Sequence, residues 1–97
     1  MLHLISENTL TRPVVERIAA GDDVVLQAGS VWAAFAGHAD NPKIDQLLAK
    51  PCRVFAMQDM LQAFGIVPER MLAGITAIGY PELVELTVEN PVIHTWC

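Results

Sequence analysis

The run Gly21-Asp22-Asp23-Val24-Val25-Leu26-Gln27-Ala28-Gly29-Ser30 reads as a turn, a strand and a second turn. Val24, Val25 and Leu26 are consecutive apolar residues, without the apolar–polar alternation of a strand that faces water on one side. A strand of this kind is covered on both faces, as in a parallel sheet with helices above and below. Gly21 ends whatever precedes the strand. Ala28-Gly29-Ser30 leads into the next helix, with Ser30 as an N-cap for Val31–Ala36 and Gly37 as its stop.

Working outward, the same grammar repeats. Leu2-His3-Leu4-Ile5 reads as a first strand, with His3 at a strand edge. Thr11-Arg12-Pro13 opens a helix whose Val14, Val15, Ile18 and Ala19 share one face, and Gly21 closes it. Asn41-Pro42 opens another, with Ile44, Leu47 and Leu48 at helical spacing and Pro51 as its end. Arg53–Met57 is the third strand. Asp59-Met60-Leu61-Gln62 reads as a capping box for a short helix closed by Gly65. Ile75–Gly79 is the fourth strand, Pro81–Asn90 a helix stopped by Pro91, and Val92–Trp96 a terminal strand whose direction the order leaves open. The order β-α-β-α-α-β-α-β-α-β predicts a single three-layer α/β domain over residues 1–97. Its sheet has four to five mostly parallel strands joined by right-handed crossovers.

Composition narrows the function. The chain has 97 residues, of which 53% are hydrophobic and 18% charged, so it is a folded domain and not a disordered segment. A domain this small leaves apolar surface outside, and an apolar partner surface is expected. Lys and Arg number 6 against 11 Asp and Glu, a formal charge of −5. Nothing here forms the basic patch that phosphate contacts need, so direct nucleic-acid binding is not expected. No apolar run reaches the ~20 residues of a membrane span. The start of the chain lacks the pattern of a signal peptide, and the expected location is the cytoplasm.

No catalytic motif is complete. His3, His38 and His94 lack the spacing of metal ligands, and neither a metal nor another cofactor is expected. Cys52 and Cys97 lie far apart and read as free thiols. They are the only candidates for thiol chemistry, with Cys52 expected to be buried and inert. Gly29 and Ser30, at a strand end before a helix, form a turn able to hold an anion through backbone N–H groups, or simply a turn and a cap. Trp32 and Phe35 lie in Val31-Trp32-Ala33-Ala34-Phe35-Ala36, apolar on nearly every side. They are either core residues or anchors of a subunit contact, as is Trp96 on the terminal strand.

Taken together, several segments resemble one family. They are Met1-Leu2-His3, Gly21–Gly29, Ala33-Ala34, Val54-Phe55-Ala56 with Asp59-Met60-Leu61 and Gly65, Ile75-Thr76, Tyr80, Val84-Glu85-Leu86-Thr87 and Thr95-Trp96. Their order and spacing resemble the DsrH/TusB family of sulfur-relay proteins across almost the whole chain. The resemblance implies a DsrE/F/H-type fold and a hetero-oligomer with DsrE/TusD-like and DsrF/TusC-like subunits. Leftover apolar surface also allows self-association when those partners are missing. It implies a role in passing persulfide sulfur, toward thiolation of the tRNA wobble uridine in one branch and in dissimilatory sulfur oxidation in the other. The main sulfur-accepting cysteine belongs to the DsrE/TusD subunit. DsrH proteins of sulfur oxidisers often carry a cysteine on the first helix, and Thr11–Ala20 has none. Neither Cys52 nor Cys97 falls on a catalytic position of the family. The implied role is a non-catalytic subunit on the tRNA branch, the alternatives being the sulfur-oxidation branch or a sulfurtransferase acting through Cys97 or Cys52.

Overall fold

The computed structural model describes residues 1–96. Five strands, β1 (Leu2–Ile5), β2 (Asp23–Leu26), β3 (Arg53–Met57), β4 (Ile75–Ile78) and β5 (Ile93–Trp96), form one sheet in the order β4-β3-β2-β1-β5. Every pairing is parallel, including β1 with β5, which settles the direction of the terminal strand. Asp23, Val24, Val25 and Leu26 are all buried, as a central parallel strand requires.

Side chains alternate between the two faces of each strand. On one face Ile5, Val24, Leu26, Val54 and Ala56 pack into a core with Val14, Val15 and Ile18 of the first helical segment and Ile44 and Leu47 of the second. On the other face Leu2, Val25, Met57 and Ile78 pack with Leu86. The helices α1 (Arg12–Arg17), α2 (Asn41–Ala49) and α3 (Gln58–Ala63) follow crossovers that step the chain in one direction along the sheet. The helix α4 (Tyr80–Glu89) belongs to the one crossover that steps back past β1, so right-handedness puts it on the opposite face.

Several boundaries differ from the sequence expectation. α1 stops at Arg17, and Ala19 is exposed instead of sharing the buried face. The chain leaves the helix early because two side chains satisfy its end. The Lys50 ammonium donates to the Val15 and Ile18 carbonyls at 2.6 Å each, and the Asp22 carboxylate accepts from the Ala19 N–H at 3.0 Å. Ser30 does not cap an α-helix over Val31–Ala36. A 3-10 helix runs over Ala28–Ala34, with Ser30 inside it and Gln27 as its cap. The α3 cap is Met57, and Asp59 sits in the first turn without the reciprocal Gln62 bond of a capping box. β4 ends at Ile78, leaving Gly79 as the cap of α4 and Asn90 as its C-cap. A short 3-10 turn over Pro68–Arg70 had no sequence expectation.

Nor does His3 lie at a strand edge. β1 is interior, so His3 lies between two strands and is 2% exposed. Its Nε2 lies 2.9 Å from Asp22 Oδ2, and the Trp96 indole Nε1–H donates to its Nδ1 at 3.1 Å. Because an indole nitrogen can only donate, Nδ1 must accept and the proton sits on Nε2, facing Asp22. His3 thereby ties the edge strand β5 to the turn before β2.

Candidate functional site: the cleft at the strand ends

Open parallel sheets bind their ligands at the carboxyl ends of the strands. Here the ends of β1, β2 and β3 and the start of α4 enclose a cleft of about 270 Å³ lined by Ser6, Gln27, Ala28, Met57, Asp59, Met60 and Tyr80. Ser6, Gln27 and Ala28 follow β1 and β2, Met57 is the last residue of β3, and Asp59 and Met60 lie at the start of α3. Ala28 takes φ +53°, a left-handed conformation uncommon outside glycine, to turn the chain from β2 into the 3-10 helix at the cleft wall. Tyr80 follows Gly79 at the first position of α4.

The polar centre of the cleft is one pair. The Tyr80 hydroxyl donates to Asp59 Oδ2 at 2.7 Å, while Asp59 Oδ1 accepts from the Met60 N–H at 2.8 Å. The hydrogen bond to Asp59 and the charge of its carboxylate raise the Tyr80 pKa above its ordinary value. The phenol therefore stays protonated at neutral pH and acts as a fixed donor, not a base. The buried thioether of Met57 and the half-buried one of Met60 supply a soft, polarisable wall. Among the described residues Asp59 is the only charged group in the lining, which includes no Lys or Arg. The cleft thus suits a neutral or partner-derived group better than an anion.

The sequence-derived candidates do not converge here. Gly29 is crowded by Asn8, whose side chain stands where a Cβ would go. Ser30 is buried, with its hydroxyl 2.5 Å from the Ile5 carbonyl and 2.7 Å from the Gln27 carbonyl, and it accepts from the Gln27 N–H at 2.9 Å. That hydroxyl fastens β1 to the turn after β2 and is not offered to a ligand. Trp32 lies with its ring centroid 5.6 Å from those of Phe35 and Phe64; Trp32 and Phe35 pack against the main core, while Phe64 is exposed. Trp96 is half-buried on β5, held by His3 and 4.2 Å from the His94 ring centroid.

Cys52 sits at the opposite end of the sheet, just before β3. It is 6% exposed and its Sγ donates to the Ala19 carbonyl at 3.3 Å. Burial, followed by the nearby Asp22 charge, raises its thiol pKa. Cys97 lies outside the described residues. Among the described residues no group of His, Cys, Asp and Glu side chains is arranged to hold a metal ion.

Asp59, Tyr80, Met57 and Ala28 were not singled out as a site by sequence reasoning. Met57 and Asp59 are neighbours in sequence, but Ala28 lies 31 residues before Asp59 and Tyr80 lies 21 after it, and no local motif joins the three segments. The available signal was the strand-end rule applied to every strand at once rather than to Gly29 and Ser30 alone.

Such a molecule is defined by an all-parallel five-stranded α/β sheet with a strand-end cleft that lacks a thiol among its described residues. Two solved structures share that architecture at low sequence identity. A protein of unknown function from Methanobacterium thermoautotrophicum aligns with TM-score 0.78 and 16% identity, covering 97% of this chain and 96% of that one. The ychN protein of E. coli aligns with TM-score 0.79 and 13% identity, covering 98% and 97%. Sequence carries the relationship further. Residues 6–92 match the family described as DsrH like protein, and the chain belongs to that family. It is 31% identical over 83 residues to Protein TusB of Erwinia tasmaniensis, covering 86% of this chain and 83% of that protein. It is 38% identical over 78 residues to Protein TusB of Serratia proteamaculans, covering 80% and 78%.

Proposed function

We propose that this chain is a non-catalytic subunit of a cytoplasmic sulfur-relay complex that supports thiolation of the tRNA wobble uridine. Its partners are DsrE/TusD-like and DsrF/TusC-like subunits, the first of which carries the sulfur. Relay chemistry needs a thiolate to attack the outer sulfur of a persulfide, forming a new S–S bond as the donor thiolate leaves. The observation that carries the reading is where the described thiol lies. Among the described residues the strand-end cleft holds Asp59, Tyr80 and two methionines but no cysteine, whereas Cys52 is buried at the far end with a raised pKa. A thioether cannot carry a persulfide. Family membership supports the assembly, and α1, which has no cysteine, supports the tRNA branch over sulfur oxidation.

The test is made on tRNA. Transfer RNA from a strain lacking the gene is digested and its wobble nucleosides are measured by mass spectrometry. Loss of the thiolated nucleoside is expected, restored equally by the wild type and by the Cys52→Ala, Cys97→Ser double variant, which has no cysteine left. Thiolation that survives the deletion would contradict the tRNA role. Rescue by the wild type alone would make one of the cysteines a relay station.

A further inference from the structure

We infer that the outer face of α4, running onto the edge strand β5, is the docking surface for a protein partner that presents an apolar strip bordered by Lys or Arg. The inference rests on the reading that the chain is one subunit of an assembly, and it names the surface. The outward face of a helix that packs on a sheet is ordinarily polar. α1 and α2 obey this, exposing Arg12, Glu16 and Arg17, and Asp45 and Gln46. α4 does not. Leu86 is buried against the sheet, yet Val84 and Val88, one turn apart, are 60% and 80% exposed.

The apolar surface continues past the helix. The chain passes from α4 through Asn90 and Pro91 into Val92 and Ile93, which are 52% and 45% exposed. Ile93 is in register with Leu2, whose side chain lies in the core beneath α4, so Ile93 points to the same side of the sheet. β5 is an edge strand, with one row of backbone groups facing no other strand among the described residues.

Charge identifies the occupant. The helix carries Glu82, Glu85 and Glu89, all exposed, and no Lys or Arg. Arg53 reaches Glu89 at 3.4 Å but is already held in two bonds to Asp23, and no cation pairs with Glu82 or Glu85 among the described residues. A second copy docking face to face about a two-fold axis would bring these carboxylates together, which like-charge repulsion opposes. A partner with cations beside an apolar strip meets both features.

The experiment mixes the purified chain with separately purified DsrE/TusD-type and DsrF/TusC-type subunits from the same organism. Binding is followed by calorimetry and by light scattering after gel filtration. The variants are Val84→Glu with Val88→Glu, and Glu82→Lys with Glu85→Lys; circular dichroism checks that each is folded, as exposed positions should allow. The expected result is a wild-type complex, weakened by added salt, with both variants binding at least tenfold more weakly. Wild-type affinity in the valine variant would overturn this surface while leaving the subunit reading intact. Failure of the wild type to bind either subunit would overturn the subunit reading and this inference with it. A dimer of the chain alone, abolished by the valine changes, would make the occupant a second copy and overturn the proposal.

Discussion

Cys52 lies beneath Ala19 with its thiol on a backbone carbonyl, and Asp22 is near enough to oppose the thiolate. Both effects keep it protonated at neutral pH, and thiol reactivity follows the thiolate. In a Cys97→Ser variant, a disulfide reagent at pH 7 should label the folded chain far more slowly than the urea-unfolded chain; equal rates would contradict the burial argument. Asp23 supplies the opposite case. Burial alone would raise its pKa, but two hydrogen bonds from Arg53 and one from Asn90 outweigh burial and lower it. Asp22 is lowered in the same way, burial being outweighed by His3 and the Ala19 N–H. For both, the unfolded chain binds the proton more readily than the folded one. Their stabilisation is present above about pH 4, the ordinary carboxylate value, and is lost as pH falls through the lowered folded values. Asp23→Asn should cost about 1–3 kcal/mol at neutral pH and flatten the acid limb of a stability–pH curve measured by denaturant unfolding. An unchanged acid limb would contradict this assignment.

The strands were readable as elements because each is a short apolar run bounded by turn residues, and Val24-Val25-Leu26 shows its double burial in its composition alone. Helix ends were less readable. α1 stops at Arg17 because Lys50 and Asp22, 33 residues away and 5 residues away, take over its last polar groups, and no local pattern announces either. Ser30 departs from the cap its sequence context suggests for a similar reason, its hydroxyl being drawn to Ile5, 25 residues earlier. The turn into β4 illustrates a constraint that glycine alone relieves. Gly74 has φ +95°, and a Cβ there would lie 2.9 Å from Leu48 Cδ1. Gly74→Ala should therefore cost about 1–2 kcal/mol through left-handed strain before any repacking of Leu48; a variant as stable as the wild type would show that the turn is built differently. β5 pairs with one strand only, and it buries little beyond Trp96. Its amides should exchange with deuterium faster than those of β2, which is covered on both faces. Equal protection would mean that β5 is held by contacts other than those described.

At the scale of the molecule, the same sheet order sets the two surfaces apart. The chain steps β1, β2, β3, β4 in one direction and returns past β1 only for β5, which places α4 alone on its face and leaves its outer valines uncovered. The strand ends form the cleft at one end of the sheet, while Cys52 marks the other. The α/β class and the all-round burial of β2 follow from local pattern. The cleft does not, because Ala28, Asp59 and Tyr80 meet only when the two crossovers from β2 to β3 and from β3 to β4 are complete. The central claim is that sulfur passes through the assembly without residing on this chain. Its most direct test is incubation with a persulfide donor, with and without a DsrE/TusD-type subunit, followed by intact-mass measurement of each protein. The account predicts added sulfur on the partner and none on this chain. A sulfur adduct on this chain, lost in a Cys52→Ala or Cys97→Ser variant, would contradict it.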